Sequence, residues 1–124
     1  MATVEDDTGE ALRKWWFQVL SEIADPDLQR RTWLDLQNTN PHWSYVEFVC
    51  SYPNDEQLAD ARNKGWLSPT EAEILEGFRR ILEAHKSPNG RDWDNEAVLD
   101  DPAWHRVVEA AQKAKAELAA ITQP

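Results

Sequence analysis

Apolar residues recur at helical spacing along most of the chain, and the clearest run lies in SPTEAEILEGFRRILEAH. Ile74, Leu75, Phe78, Ile81 and Leu82 form one stripe there, while Glu73, Glu76, Arg79, Arg80 and Glu83 fall mostly on other faces. Ser68 suits an N-cap, Pro69 the first helical position and Glu71 the capping-box position. The pattern therefore predicts a helix over 68–85. This helix is expected to be the spine against which the others pack.

Read from the start, the chain opens with an acidic stretch over 1–7 that suits a disordered tail. Thr8 can cap a helix reaching about residue 24, with Leu12, Trp15, Trp16, Val19, Leu20 and Ile23 on one face. Asp25-Pro26 is a stop and restart, and a second helix over 27–37 carries Leu28, Trp33, Leu34 and Leu36. Asn38-Thr39-Asn40-Pro41 reads as a loop. Asn54 or Asp55 caps a further helix to about 64, with Leu58 and Ala61 inward and Gly65 at its closing turn. Beyond the spine, 87–90 is a turn, and Ala97, Val98 and Leu99 allow one or two helical turns. Asp101 and Pro102 open a last helix whose stripe is Trp104, Val107, Val108, Ala111, Leu118 and Ile121.

The segment over 43–52 admits two readings. Val46, Phe48, Cys50 and Tyr52 alternate as in a strand, yet Tyr45, Val46, Val49 and Cys50 also match a helix. A lone strand has no partner, and no second strand is evident, so a buried helix ending before Pro53 is expected. The whole reads as an all-α fold, a compact bundle of about five or six short helices in a single domain over 8–124.

Composition sharpens this picture. Twenty-three acids against 13 bases give a net charge of −10, which disfavours nucleic acid and anionic membrane and favours a basic partner. The opening MATVEDDTGE has no apolar core, so no signal peptide is expected, and no apolar run is long enough for a bilayer; the expected location is the cytoplasm. Cys50 is the only cysteine and, beside Phe48 and Val49, is expected to be a buried structural thiol. Most of the seven tryptophans are expected to fill the core; Trp93, set among acids, is the exception.

Catalytic patterns are scarce. His42, His85 and His105 lie on three segments without metal-ligand spacing, and His85 suits the negative end of a helix. Asp92-Trp93-Asp94-Asn95-Glu96 begins like a calcium loop, but Ala97 and Ala103 stand where such a loop needs glycine and glutamate. Cys50 has no base within its own element, since His42 is too distant along a helix. The four glycines form no phosphate loop. Arg30-Arg31 and Arg79-Arg80 are expected to pair with neighbouring acids rather than with phosphate. The expectation is no enzyme, no cofactor and no metal.

Binding is what remains. The stretch over 91–101 is the most acidic in the chain, and Asp92, Trp93, Asp94 and Glu96 are the candidate contact residues, joined by Asp55, Glu56 and Asp60. Reversing Asp92, Asp94 and Glu96 to lysine is expected to spare the fold and abolish binding. The stretches LSEIADPDLQRRTWL, SYVEFVCSY and DPAWHRVVEAAQ resemble those of small cytoplasmic immunity proteins that bacteria keep against toxins of neighbouring cells, contact-dependent inhibition systems included. The resemblance implies a partner-blocking role against a toxin domain, often a nuclease with a basic groove, and carries over no functional residue. The alternatives are a helical scaffold or regulatory subunit that docks through an apolar patch, and a small enzyme that gathers at least two of His42, His85, His105 and Cys50 in one concavity.

Overall fold

The computed structural model describes residues 4–37, 39–40 and 42–122. Among the described residues seven α-helices follow one another: α1 Val4–Ile23, α2 Pro26–Trp33, α3 Tyr45–Ser51, α4 Asp55–Asn63, α5 Pro69–Ala84, α6 Asn95–Asp100 and α7 Pro102–Thr122. A single 3-10 turn, Pro88–Gly90, separates α5 from α6, and there is no strand among the described residues. The all-α class is thus the observed one.

Local chemistry sets most boundaries. Asp25 accepts the Leu28 N–H at 3.0 Å and Ser44 the Glu47 N–H at 3.2 Å, each satisfying an orphan donor of a first turn. Reciprocal capping boxes open α4 (Asn54 with Gln57) and α5 (Ser68 with Glu71). Pro53 ends α3 by holding Tyr52 extended at ψ 138°. Gly65, after α4, adopts φ +78°, which a side chain would resist.

Some boundaries differ from expectation. α1 begins at Val4, not after Thr8, so residues 4–7 belong to the helix; residues 1–3 of the expected tail lie outside the described residues. α2 stops at Trp33 instead of Gln37. Asp35 accepts the Gln37 N–H at 2.9 Å, a local bond that competes with helix continuation, and Leu36 is 97% exposed, so no core contact pulls the chain onward. Of the expected loop after it, Asn38 and Pro41 lie outside the described residues.

α5 and α7 pack side by side, α4 covers α5, and α1 and α6 cover α7, so the spine is shared between α5 and α7. From α5 the core receives Ala72, Leu75, Phe78 and Leu82, and from α7 Trp104, Val107, Val108, Ala111 and Leu118. Two stripe residues do not join it: Ile81 is 45% exposed, and Ile121 is exposed at the end of α7. Gly9 of α1 lies buried beneath the Trp66 indole, where a Cβ would overlap the ring.

The tryptophans divide by burial. Trp16, Trp33 and Trp104 are buried, Trp43 and Trp66 half-buried, and Trp15 and Trp93 exposed. Trp33 meets Phe48 edge-on at 5.0 Å, and Trp104 meets Tyr45 edge-on at 5.3 Å, the geometry that aromatic quadrupoles favour. At the centre sits a fully buried polar residue, Gln29. Its amide donates to the Glu22 and Ile23 carbonyls at 2.9 Å each, and its oxygen accepts the Trp104 Nε1–H at 3.0 Å. Gln112 donates to the Ala24 carbonyl at 3.1 Å. Side chains from α2 and α7 thereby satisfy the last carbonyls of α1.

Candidate functional site

The acidic stretch begins after the 3-10 turn, where Asn89 and Gly90 take φ values of 56° and 71° and reverse the chain. Most of its carboxylates hold the fold. Asp92 accepts a hydrogen bond from Ser87 Oγ. Asp94 caps α6 by accepting the Ala97 N–H at 3.1 Å. Asp100 approaches Arg30 at 3.4 Å. Asp101 accepts the Ala103 N–H at 3.0 Å at the start of α7. Asn95, between them, accepts the Tyr45 N–H at 3.1 Å and fastens the stretch to α3.

Trp93 and Glu96 remain outward, with Trp93 75% exposed. The lysine reversal of Asp92, Asp94 and Glu96 would therefore also weaken the fold, by about 1 kcal/mol for the cap alone. It would remove the α6 cap and the Ser87 contact, leaving Glu96 as the one of the three whose exposed side chain can be changed freely.

The α4 acids stand apart from this stretch. Asp55 pairs with Arg79 at 3.0 Å and Asp60 with Lys64 at 3.1 Å, while Glu56 is exposed. Glu56 and Asp60 line a depression on α4, whereas Asp92 lines a different groove.

That groove, of about 460 Å³, lies between α3 and the C-terminal end of α5. Val46, Val49 and Cys50 contribute from α3, and Leu82 and Glu83 from α5. Cys50 is exposed, not buried: Tyr45, Phe48 and Tyr52 occupy the inward face of the segment, and Val46 and Cys50, four apart, share the outward one. Behind the groove runs a hydrogen-bonded chain. Tyr45 Oη lies 2.9 Å from His85 Nδ1, and His85 Nε2 lies 3.0 Å from Asp101 Oδ2. A neutral imidazole satisfies both contacts, accepting from the phenol and donating to the carboxylate. Trp104 packs edge-on against the imidazole at 5.3 Å.

The surroundings shift these groups. Burial pushes the Tyr45 phenol up to about 12, and the Asp92 and Asp101 carboxylates push the same way. Burial also pushes the Asp101 carboxyl up, but the Ala103 N–H and the His85 ring outweigh it and hold the group below the usual carboxylate range. At Glu71, burial is likewise outweighed, by the Arg13 guanidinium and by Ser68. Burial raises Tyr52 further than Tyr45, with Arg79 opposing; its hydroxyl donates to the Leu75 carbonyl at 2.6 Å.

Both tyrosines of the chain are thus more acidic unfolded than folded. Their contribution to stability is full below the unfolded value near pH 10; that of Tyr45 is lost as the pH rises from there through about 12, and that of Tyr52 over a range that extends higher. Tyrosinate absorbance is expected to appear together with loss of helical circular dichroism above about pH 10. Tyrosinate formed at that pH with the helices intact would contradict the burial of both rings.

The histidines are all engaged. His42 Nε2 lies 3.2 Å from Glu22 Oε1, with its ring among Trp15, Trp43 and Phe48. His105 Nε2 lies 2.6 Å from the Leu99 carbonyl. Cys50 and His85 do line one concavity, which their separation in sequence gave no sign of. Yet both His85 ring nitrogens face protein partners, so the imidazole offers no free nitrogen to a thiol. Among the described residues, no group of three or more His, Cys, Asp or Glu side chains converges as metal ligands would, and no helix is long and apolar enough to cross a membrane.

No protein-family model, curated protein or solved structure matches the chain.

A second groove, about 490 Å³, runs between α5 and α7, with Ile74, Gly77 and Ile81 facing Ala110 and Ala114. Two surfaces are therefore open to a partner: the acidic one that carries Trp93, and this apolar one.

Proposed function

We propose that the chain is a cytoplasmic, immunity-type binding protein that neutralises a basic toxin domain, a nuclease by class, by covering its active site. The observation that carries this reading is Trp93, an indole 75% exposed, more than any other tryptophan among the described residues, the next being Trp15 at 43%. It stands beside Asp92 and near Glu96, in a protein of net charge −10. Exposed indoles are frequent anchors of interfaces, and an acidic surround steers a basic partner and speeds encounter. The acids of α4 add to the field around the partner without sharing the same concavity.

The test is capture from the source cell by the wild-type chain and by Trp93→Ala with Glu96→Gln, at low and high salt. A basic protein that binds the wild type, weakens with salt and binds the double variant roughly 10- to 1000-fold less well is expected. Inhibition of that protein's nuclease activity by the wild type completes the reading. A partner whose affinity ignores both salt and Trp93 would instead favour a scaffold that docks on the α5–α7 groove, where Ile81 is exposed.

A further inference from the structure

The groove between α3 and the end of α5 combines two chemistries. Val46, Val49 and Leu82 give it an aliphatic wall, and Glu83 and Asp92 bring carboxylates to it. Lys86 is the cation among its lining residues. Two carboxylates, Glu83 and Asp92, thus stand against one ammonium, Lys86, among its lining residues. Ser87 engages Asp92 through Oδ1, leaving Oδ2 as an acceptor. Glu83, its side chain 64% exposed, meets the half-buried Arg79 at 3.4 Å, a long contact for an ion pair.

An aliphatic wall ending in carboxylates matches a side chain that is apolar along its stem and cationic at its tip. We propose that this groove seats one lysine or arginine side chain of the basic partner, the stem against Val46, Val49 and Leu82 and the head group at Asp92 and Glu83. The volume, about 460 Å³, is ample for one such side chain. Trp93 follows Asp92 directly in the chain, though it is not one of the residues that line the groove. The proposal rests on the reading of the chain as a binder of a basic protein, and adds where that partner is gripped and by which residue type.

Cys50, the chain's only cysteine, is exposed in this groove and reports on it without any partner. Its modification is to be timed with a cationic (trimethylammonium-ethyl) and an anionic (sulfonato-ethyl) methanethiosulfonate, each rate divided by that of free mercaptoethanol. A preference for the cation of about tenfold at low salt is expected. Glu83→Gln with Asp92→Asn removes most of it. Glu109→Gln with Glu117→Gln, an equal change of net charge on α7, leaves most of it. Acetyl-arginine amide is expected to slow N-ethylmaleimide at Cys50, and the uncharged acetyl-citrulline amide is not. Equal rates for the two reagents, equal loss of preference in both double variants, no protection by the arginine amide, or equal protection by both amides would each overturn the assignment. None of these outcomes bears on the acidic-surface reading, which fails separately if salt leaves partner affinity unchanged.

Discussion

Trp104→Ala is expected to leave the protein largely unfolded at room temperature. The indole is fully buried and meets Trp33, Tyr45 and His85, so it joins α2, α3, the end of α5 and α7. Removing it opens a cavity worth about 3–5 kcal/mol. The change also strands the Gln29 Oε1 acceptor in the core, at a further cost of about 1–3 kcal/mol. The sum approaches the whole stability of a small domain, about 5–15 kcal/mol. Trp104→Phe keeps one of the two fused rings while losing the N–H, so it strands the same acceptor but opens a smaller cavity, and it should cost less than the alanine change. Urea titrations followed by circular dichroism read both variants. A Trp104→Ala protein that unfolds within about 1 kcal/mol of wild type would show that the indole is not the keystone of the core.

Phe78→Ala is expected to cost about 3–5 kcal/mol. Phe78 is buried on α5 and meets Tyr52 edge-on at 5.2 Å, linking α5 to the end of α3. Ile81→Ala, three residues along the same helix, should cost below about 1 kcal/mol because Ile81 is 45% exposed. The contrast tests the rotation of α5 about its axis. Similar losses at the two positions would mean that the helix presents a different face to α7.

The starts of α2, α4 and α5 were legible because their chemistry is local, while the start of α1 and the end of α2 were missed. A cap needs an oxygen two or three residues before the N–H it accepts, and Ser68 with Glu71, Asn54 with Gln57, and Asp25 with Leu28 all stand at that spacing. The stripes of α5 and α7 were legible in their centres and failed at Ile81 and Ile121, because a helical period says which residues share a face but not how far a neighbouring helix extends over it. Cys50 was misplaced for a related reason: the period of α3 fits two rotations, and only the packing of Tyr45, Phe48 and Tyr52 selects one.

The candidate site was legible only as composition. The sequence shows an acidic stretch around Trp93, and it cannot show that Asp94 caps α6, that Asp92 faces Ser87, or that Asn95 reaches Tyr45 across 50 positions. A carboxylate that holds a turn and one that awaits a partner are the same letter. Gln29 was passed over because polar residues usually stay at the surface, and its burial makes sense only beside the open carbonyls of α1 and the Trp104 N–H.

By itself, then, the order of residues determined the all-helical class, the main helix starts and the surplus of negative charge, since each depends on neighbours within about one turn or on a simple sum. Only the tertiary structure decided which acids are engaged and which are free, where the groove lies, and that Tyr45, His85 and Asp101 form one chain behind it. Those properties depend on the rotation and crossing of helices far apart in sequence, which close packing of the aromatic core fixes and local preference does not.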